Sequence, residues 1–462
     1  MNPFTQATRR PSRLVPALAG KTVMPQDARF DQARRAWNLA VDQQPAAVIF
    51  PETAEDVAVA VRFAAERGQR VAAQGTGHGA ATLGPLNDTI LVKTERMRGL
   101  TIDPVERVAR AEAGVLSGEV VRAAAQYGLA PLTGSSADVG VVGYTLGGGL
   151  SLLGRRYGLA ANNVRAIELV TAEGRIVRAD RETERDLFWA LRGGGGSFGV
   201  VTAIELELVP ITHAYAGILW YPIERAPEVL HTWRSLTHAN PPDELTTIGR
   251  FLNLPPIPEI PEPVRGKSFV VVETVHVGDP ATADELLAPL RALAPVNDTI
   301  DIVPPPALLD LFLEPEQPVP AVGDGLTLAG LPPAAIDTLV DVAGADAAFP
   351  LLSVEVRHLE GELGRDRPGN GALSSIEAKY LMYAVGIAPT PEAESVVRDQ
   401  VRTVKEAMAP WADRLMYLNF AETRRPTDIL WTAPALERLR AVKTTVDPDN
   451  LLRANHTIPP AD

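Results

Sequence analysis

His78 lies in the run Gly75-Thr76-Gly77-His78-Gly79. An imidazole can act there as nucleophile or proton carrier near neutral pH. Gln74 leads into the run from a strand-like segment, and the bare backbone beyond it forms a main-chain concavity suited to anionic groups. Gly147-Gly148-Gly149 and Gly193-Gly194-Gly195-Gly196-Ser197-Phe198-Gly199 follow. Glycines at this density cost backbone entropy and mark sharp turns or close approach to a ligand. With His78 they point to a large phosphate-bearing cofactor held by main chain. A tight turn with an incidental histidine would explain the first run alone. Against it stands Gly134-Ser135-Ser136-Ala137-Asp138-Val139-Gly140, which leads through Gly143-Tyr144-Thr145-Leu146 into the second glycine run.

Other chemistries lack their parts. Residues 194–199 match the spacing of a dinucleotide-binding loop, but a helical pattern precedes them and a strand pattern follows, the reverse of a Rossmann unit. Gly266-Lys267-Ser268 ends like a P-loop, yet Pro261 stands where the first glycine belongs. None of the seven histidines has a partner at metal-ligand spacing, so no metal site is expected. No nucleophile elbow is present. The absence of cysteine removes disulfides, iron–sulfur clusters and thiolate catalysis.

The elements that must position these residues divide the chain. The first half alternates strands and helices: a strand at 46–50, a helix from a Thr53 cap, a strand at 70–74 entering the His78 run, and a helix capped by Ser117. Residues 164–171 and 199–209 are strongly β-like. From about His213, long alternating strands such as 268–276 interleave with amphipathic helices at 281–293 and 393–408. That order reads as an antiparallel sheet with helices on one face.

At 462 residues two domains are expected. A net charge of −13 without a basic run argues against nucleic acid or an anionic membrane as partner. A cytoplasmic protein is expected, a monomer or homodimer. Arg9-Arg10 before a short apolar stretch offers export as the alternative.

In order and spacing, these motifs resemble the FAD-binding domain of the vanillyl-alcohol oxidase and p-cresol methylhydroxylase (PCMH) superfamily, in its berberine-bridge-enzyme-like branch. The resemblance runs from near Gly20, through Pro25-Gln26-Asp27, Phe30-Asp31 and Ala33-Arg34-Arg35-Ala36-Trp37-Asn38, to the C-terminal Asp447-Pro448-Asp449-Asn450-Leu451-Leu452-Arg453-Ala454-Asn455-His456-Thr457-Ile458-Pro459. It implies an α+β fold of two domains: a PCMH-type FAD-binding domain at 42–212, and a substrate domain at 213–430 with an antiparallel sheet covered by helices. Residues 1–41 would lead in against the FAD domain and 431–462 would return to it. It further implies FAD bonded to His78 through the flavin 8α-methyl group. Relatives with a second, cysteinyl tether carry it at the slot of Ser136, so single attachment is expected.

By the same resemblance, backbone amides of Gly75, Thr76, Gly77 and Gly79 would cradle the pyrophosphate, and Gln74 would also bind the cofactor. Ser135, Gly140, Gly143 and Thr145 would continue that wall, with Gly134 and Ser136 also at the cofactor, Val200 at the adenine or ribose and Asn455 near the isoalloxazine. Val139 matches the position that gates oxygen. Tyr417-Leu418-Asn419 resembles the family's Tyr-x-Asn motif, whose tyrosine takes the substrate proton. Tyr380 is chosen from its strand to face the flavin, and Tyr144 borders the substrate. The implied activity is an oxidase that takes a hydride from a C–H beside a hydroxyl or amine of a small molecule and reduces O2 to H2O2. A dehydrogenase with another acceptor, or a flavin-binding protein without turnover, are the alternatives.

Overall fold

The computed structural model describes residues 16–258, 260, 262–315, 317–347 and 351–461; Arg9-Arg10 lies outside them. Three sheets carry the fold. The first orders Thr22–Val23, Ala47–Ile49, Thr89–Lys93, Arg70–Gln74 and Leu452–Arg453. Its last strand comes from the C-terminal end and pairs in parallel with Val71 and Ala72. Thr53 caps the helix Ala54–Ala65, its hydroxyl accepting from the Asp56 amide, and Val57, Val61 and Ala64 bury against this sheet.

A second, antiparallel sheet orders Leu100–Asp103, Val108–Glu112, Val200–Glu207, Val164–Val170 and Ile176–Asp180. The helix expected to start on a Ser117 cap runs Ser117–Ala125 instead, with Leu116 at the cap position. Ser117 lacks a bonded hydroxyl, and the Glu119 carboxylate accepts from the Leu116 amide at 2.8 Å. The long negative side chain reaches the free amide that a serine one position late cannot.

The third sheet has eight strands, with Ala214–Pro222, Ser268–His276, Leu245–Asn253, Ser353–His358, Tyr380–Ile387 and Ala321–Leu328 in that spatial order. Helices Ala226–His238, Pro333–Ala343 and Pro391–Met408 pack on one face. Side chains alternate along each strand, so one face belongs to the helices and the other is free for a site. Val354, Val356, Tyr380, Met382 and Ala384 take the helix face and bury with Val229, Trp233 and Leu339.

That register corrects the expectation for Tyr380. Its ring lies 6.1 Å from that of Trp233, and its hydroxyl bonds Thr237 Oγ1 at 2.9 Å, both on the covering helix. An aromatic ring with one polar tip fits a helix–sheet core when that tip finds a partner. Tyr383, three residues on, takes the opposite face.

Candidate active site

The His78 loop leaves the strand Arg70–Gln74 and is closed by residues far away in sequence. His78 Nδ1 is 2.7 Å from Thr76 Oγ1, and its Nε2 is 3.5 Å from the Asp138 carboxylate. The ring stacks on Trp37 with centroids 4.1 Å apart, and the Trp37 indole donates to Asp138. Stack and carboxylate together fix the plane of the imidazole. Gly77 has φ +94°, and a Cβ there would meet Ala36 Cβ and Gln74 Nε2 at 2.9 Å. No other residue type fits that turn without displacing the Trp37 segment. Asn455, from the C-terminal end, donates to the Gly79 carbonyl at 2.9 Å.

The opposite wall is the 134–149 segment. The Ser135 hydroxyl donates to Glu314 at 2.6 Å. Val139 is half-buried and its carbonyl accepts from the Ser117 amide. Thr145 is buried with its hydroxyl committed to the Val141 carbonyl, so it offers main chain alone. Val200 turns its side chain into the core beneath the first sheet, leaving main chain as its contribution too. A Cβ on Gly75 or Gly140 would find no atom nearer than 3.7 Å, and on Gly143 none within 4 Å. Both amide atoms of Gln74, His78 Nε2 and the Tyr144 hydroxyl are buried without a hydrogen-bond partner. Buried polar groups are nearly always satisfied. An open glycine groove beside orphaned donors and acceptors fits a cofactor of the size and polarity of FAD.

Tyr417 presses on the glycine run. A Cβ on Gly148 would fall 3.2 Å from its hydroxyl, and one on Gly147 would overlap Asn419. Asn419 Nδ2 donates to the Tyr144 carbonyl at 2.9 Å and lies 3.4 Å from the Tyr417 hydroxyl. Burial pushes the Tyr417 phenol well above the ordinary range. Hydrogen bonds from Leu150, Asn419 and Gly149, and the charge of Arg357, offset part of that rise.

The free face of the eight-stranded sheet supplies groups that the motifs do not name. Arg250, Glu273, Glu355, Arg357 and Tyr383 share it, all buried or half-buried, with Phe420, Glu314 and Glu422 brought in by loops. Arg357 bonds Glu355 at 2.8 Å and lies 5.0 Å from the Phe420 ring centre. Arg250 and Glu273 are in ion-pair contact at 2.5 Å, though neither Glu273 oxygen accepts a well-directed bond. The Tyr383 hydroxyl donates to Glu422 at 2.5 Å. Burial lifts Glu273 to about 7 against the opposing pull of Arg250. It lifts Glu422 to about 7 despite the Tyr383 hydrogen bond, and raises Glu314 as well. Strand alternation could have flagged Tyr383 and Arg357. Nothing local marks Glu273, Glu314 or Glu422.

A histidine-bearing glycine cradle facing a sheet of buried acids and phenols defines an FAD-linked oxidoreductase. Residues 45–180 match the FAD binding domain family, and residues 416–459 match the family described as berberine and berberine like. An uncharacterized FAD-linked oxidoreductase of Bacillus subtilis, YgaK, is 28% identical over 96% of this chain and 97% of its own. The (R)-6-hydroxynicotine oxidase of Paenarthrobacter nicotinovorans is 35% identical over 45% of each chain. The crystal structure of 6-hydroxy-D-nicotine oxidase from Arthrobacter nicotinovorans superposes with a TM-score of 0.81 over 95% of this chain and 98% of that one, at 24% identity. The chain thus carries both the FAD binding region and the berberine-like C-terminal region found in FAD-linked oxidoreductases.

Proposed function

We propose that the protein is an FAD-dependent oxidase that takes a hydride from a carbon bearing a hydroxyl or amine and passes the electrons to O2, giving H2O2. FAD supplies the hydride acceptor. The observation that carries this reading is the placement of Tyr417 and Asn419 directly on Gly147 and Gly148, across the cradle from His78.

His78 holds the cofactor through a single covalent bond, since Ser136 has no thiol to make a second. Asp138 and Trp37 hold its ring for that attachment. Gly75, Thr76, Gly77, Gly79, Gly134, Ser135, Gly140, Gly143, Thr145 and Val200 line the phosphate and nucleotide side, and Asn455 the flavin end. The compact Val139 leaves oxygen a path, which favours an oxidase over a dehydrogenase. Tyr417 receives the heteroatom proton and Tyr144 borders the substrate. A buried phenol is a weak base at neutral pH, whereas a carboxyl near 7 is well matched to the task. Glu273 and Glu422 both lie in that range, and Glu422 is the one hydrogen-bonded to a phenol of the sheet, Tyr383.

Acid denaturation tests the tether: the yellow colour should pellet with the wild-type polypeptide and stay in solution for His78→Ala. A peroxide assay with a panel of alcohols, sugars and amines tests the oxidase. Substrate bleaching of the flavin without peroxide in air would replace oxidase by dehydrogenase, and no bleaching by any reductant would leave a binding protein.

A further inference from the structure

Away from the cradle, a surface concavity of about 360 Å³ is lined by Arg181, Arg185, Arg192 and Arg438, with Phe188, Trp189, Gly369 and Asn370. Four guanidinium groups converge there on a protein whose net charge is −13. Asp186 is the acid in ion-pair contact with any of them among the described residues, and it holds Arg438 at 2.7 Å. Arg192 is the informative one. It is 4% exposed and pairs with no carboxylate among the described residues. Its bonds go to the Phe188 and Gly369 carbonyls, at 3.3 and 2.9 Å, which leaves Nη2 without a protein partner. Burial and the nearby charge of Arg181 both work against its cation.

A buried cation without a counter-charge is costly on general grounds, and clustering three further cations about it adds to that cost. Proteins bear such a cost where an anion from outside is bound. Here two of the guanidiniums are also fixed over aromatic faces. Arg438 lies 3.9 Å from the centre of the Trp189 ring and Arg192 4.1 Å from that of Phe188. Two of the four arginines are thus held in place in advance, one beside the helix Arg185–Leu191 and one on the helix Ala433–Val446.

We infer that this concavity, which none of the glycine-loop residues lines, is a binding site for a phosphate-bearing small molecule. The volume exceeds what a single phosphate fills, and the groove continues through Trp189, Asn370 and Arg438 into a second concavity of about 430 Å³ that reaches Tyr417 at its far end. The anionic group sits among the arginines, and the remainder of the ligand extends along that groove.

The test titrates inorganic phosphate and pyrophosphate into the FAD-loaded protein by calorimetry, while the flavin absorbance is followed. Saturable binding is expected, with the flavin spectrum unchanged. Arg181→Ala/Arg185→Ala, both at exposed positions, should weaken it at least about tenfold. Asp186→Asn, which frees Arg438, should tighten it several-fold. Arg192→Gln should abolish it, and the exposed pair keeps the test valid if that variant does not fold. No saturable binding by the wild type, or binding indifferent to the loss of Arg181 and Arg185, overturns the inference. A response seen wholly as a flavin spectral shift that the arginine pair does not alter also overturns it, since it places the ion in the cradle.

Discussion

The two walls of the active site are built by opposite means. The cradle wall is main chain: glycines, short loops and a histidine, within stretches at 74–79 and 134–149. The substrate wall is side chain: Arg250, Glu273, Glu355, Arg357 and Tyr383 come from four strands, and Glu314 and Glu422 from loops. A cofactor with fixed shape can be gripped by backbone that varies little. A substrate must be read by groups that can change, and buried charges on a rigid sheet allow that without disturbing the cradle.

The comparison breaks first at Tyr417. Tyr417→Phe should lower kcat/KM by about 10²–10⁴-fold with FAD content unchanged, whereas Tyr380→Phe should leave turnover intact. Equal losses from the two would return Tyr380 to the site. Next comes the cradle. Gly147→Ala puts a Cβ within 1.8 Å of Asn419 Oδ1, so thermal unfolding should report a loss of about 1–3 kcal/mol together with weaker FAD retention.

Glu422 sharpens the contrast through pH. Its folded-state ionisation near 7 lies above the usual carboxyl value. The stability it contributes is therefore complete below about 4.5 and is lost as pH rises through about 7. Glu422→Gln should thus gain Tm relative to wild type as pH rises from about 5 to about 8, and should remove the limb near 7 from the kcat/KM profile. A constant Tm difference would place the titrating group elsewhere. The smallest effect belongs to Tyr380→Phe, about 1 kcal/mol for the lost Thr237 hydrogen bond, read by denaturant unfolding.

Much of the cradle was legible because its function lives in local backbone shape, and local shape is what glycine spacing encodes. Thr53 as a cap and the strand Ser268–His276 were legible for the same reason. The reading slipped by one residue at Ser117, where a longer acid reached the amide first. At Tyr380 it slipped by a whole face. Alternation limits which residues share a face, but two equally aromatic faces give no local signal of which one the helices will claim.

By itself the sequence determined the FAD-binding character of residues 45–180, the glycine runs with His78, the lack of any thiol and the Tyr417–Asn419 motif, since each depends on residue type within a few positions. Tertiary structure decided the rest. It stacked Trp37 and Asp138 on His78, sent Tyr380 into the helix core, assembled the buried acids opposite the cradle, and gathered Arg181, Arg185, Arg192 and Arg438 around one concavity. Those outcomes turn on which sheet face is covered and which distant segments meet, and burial rather than local spacing sets both.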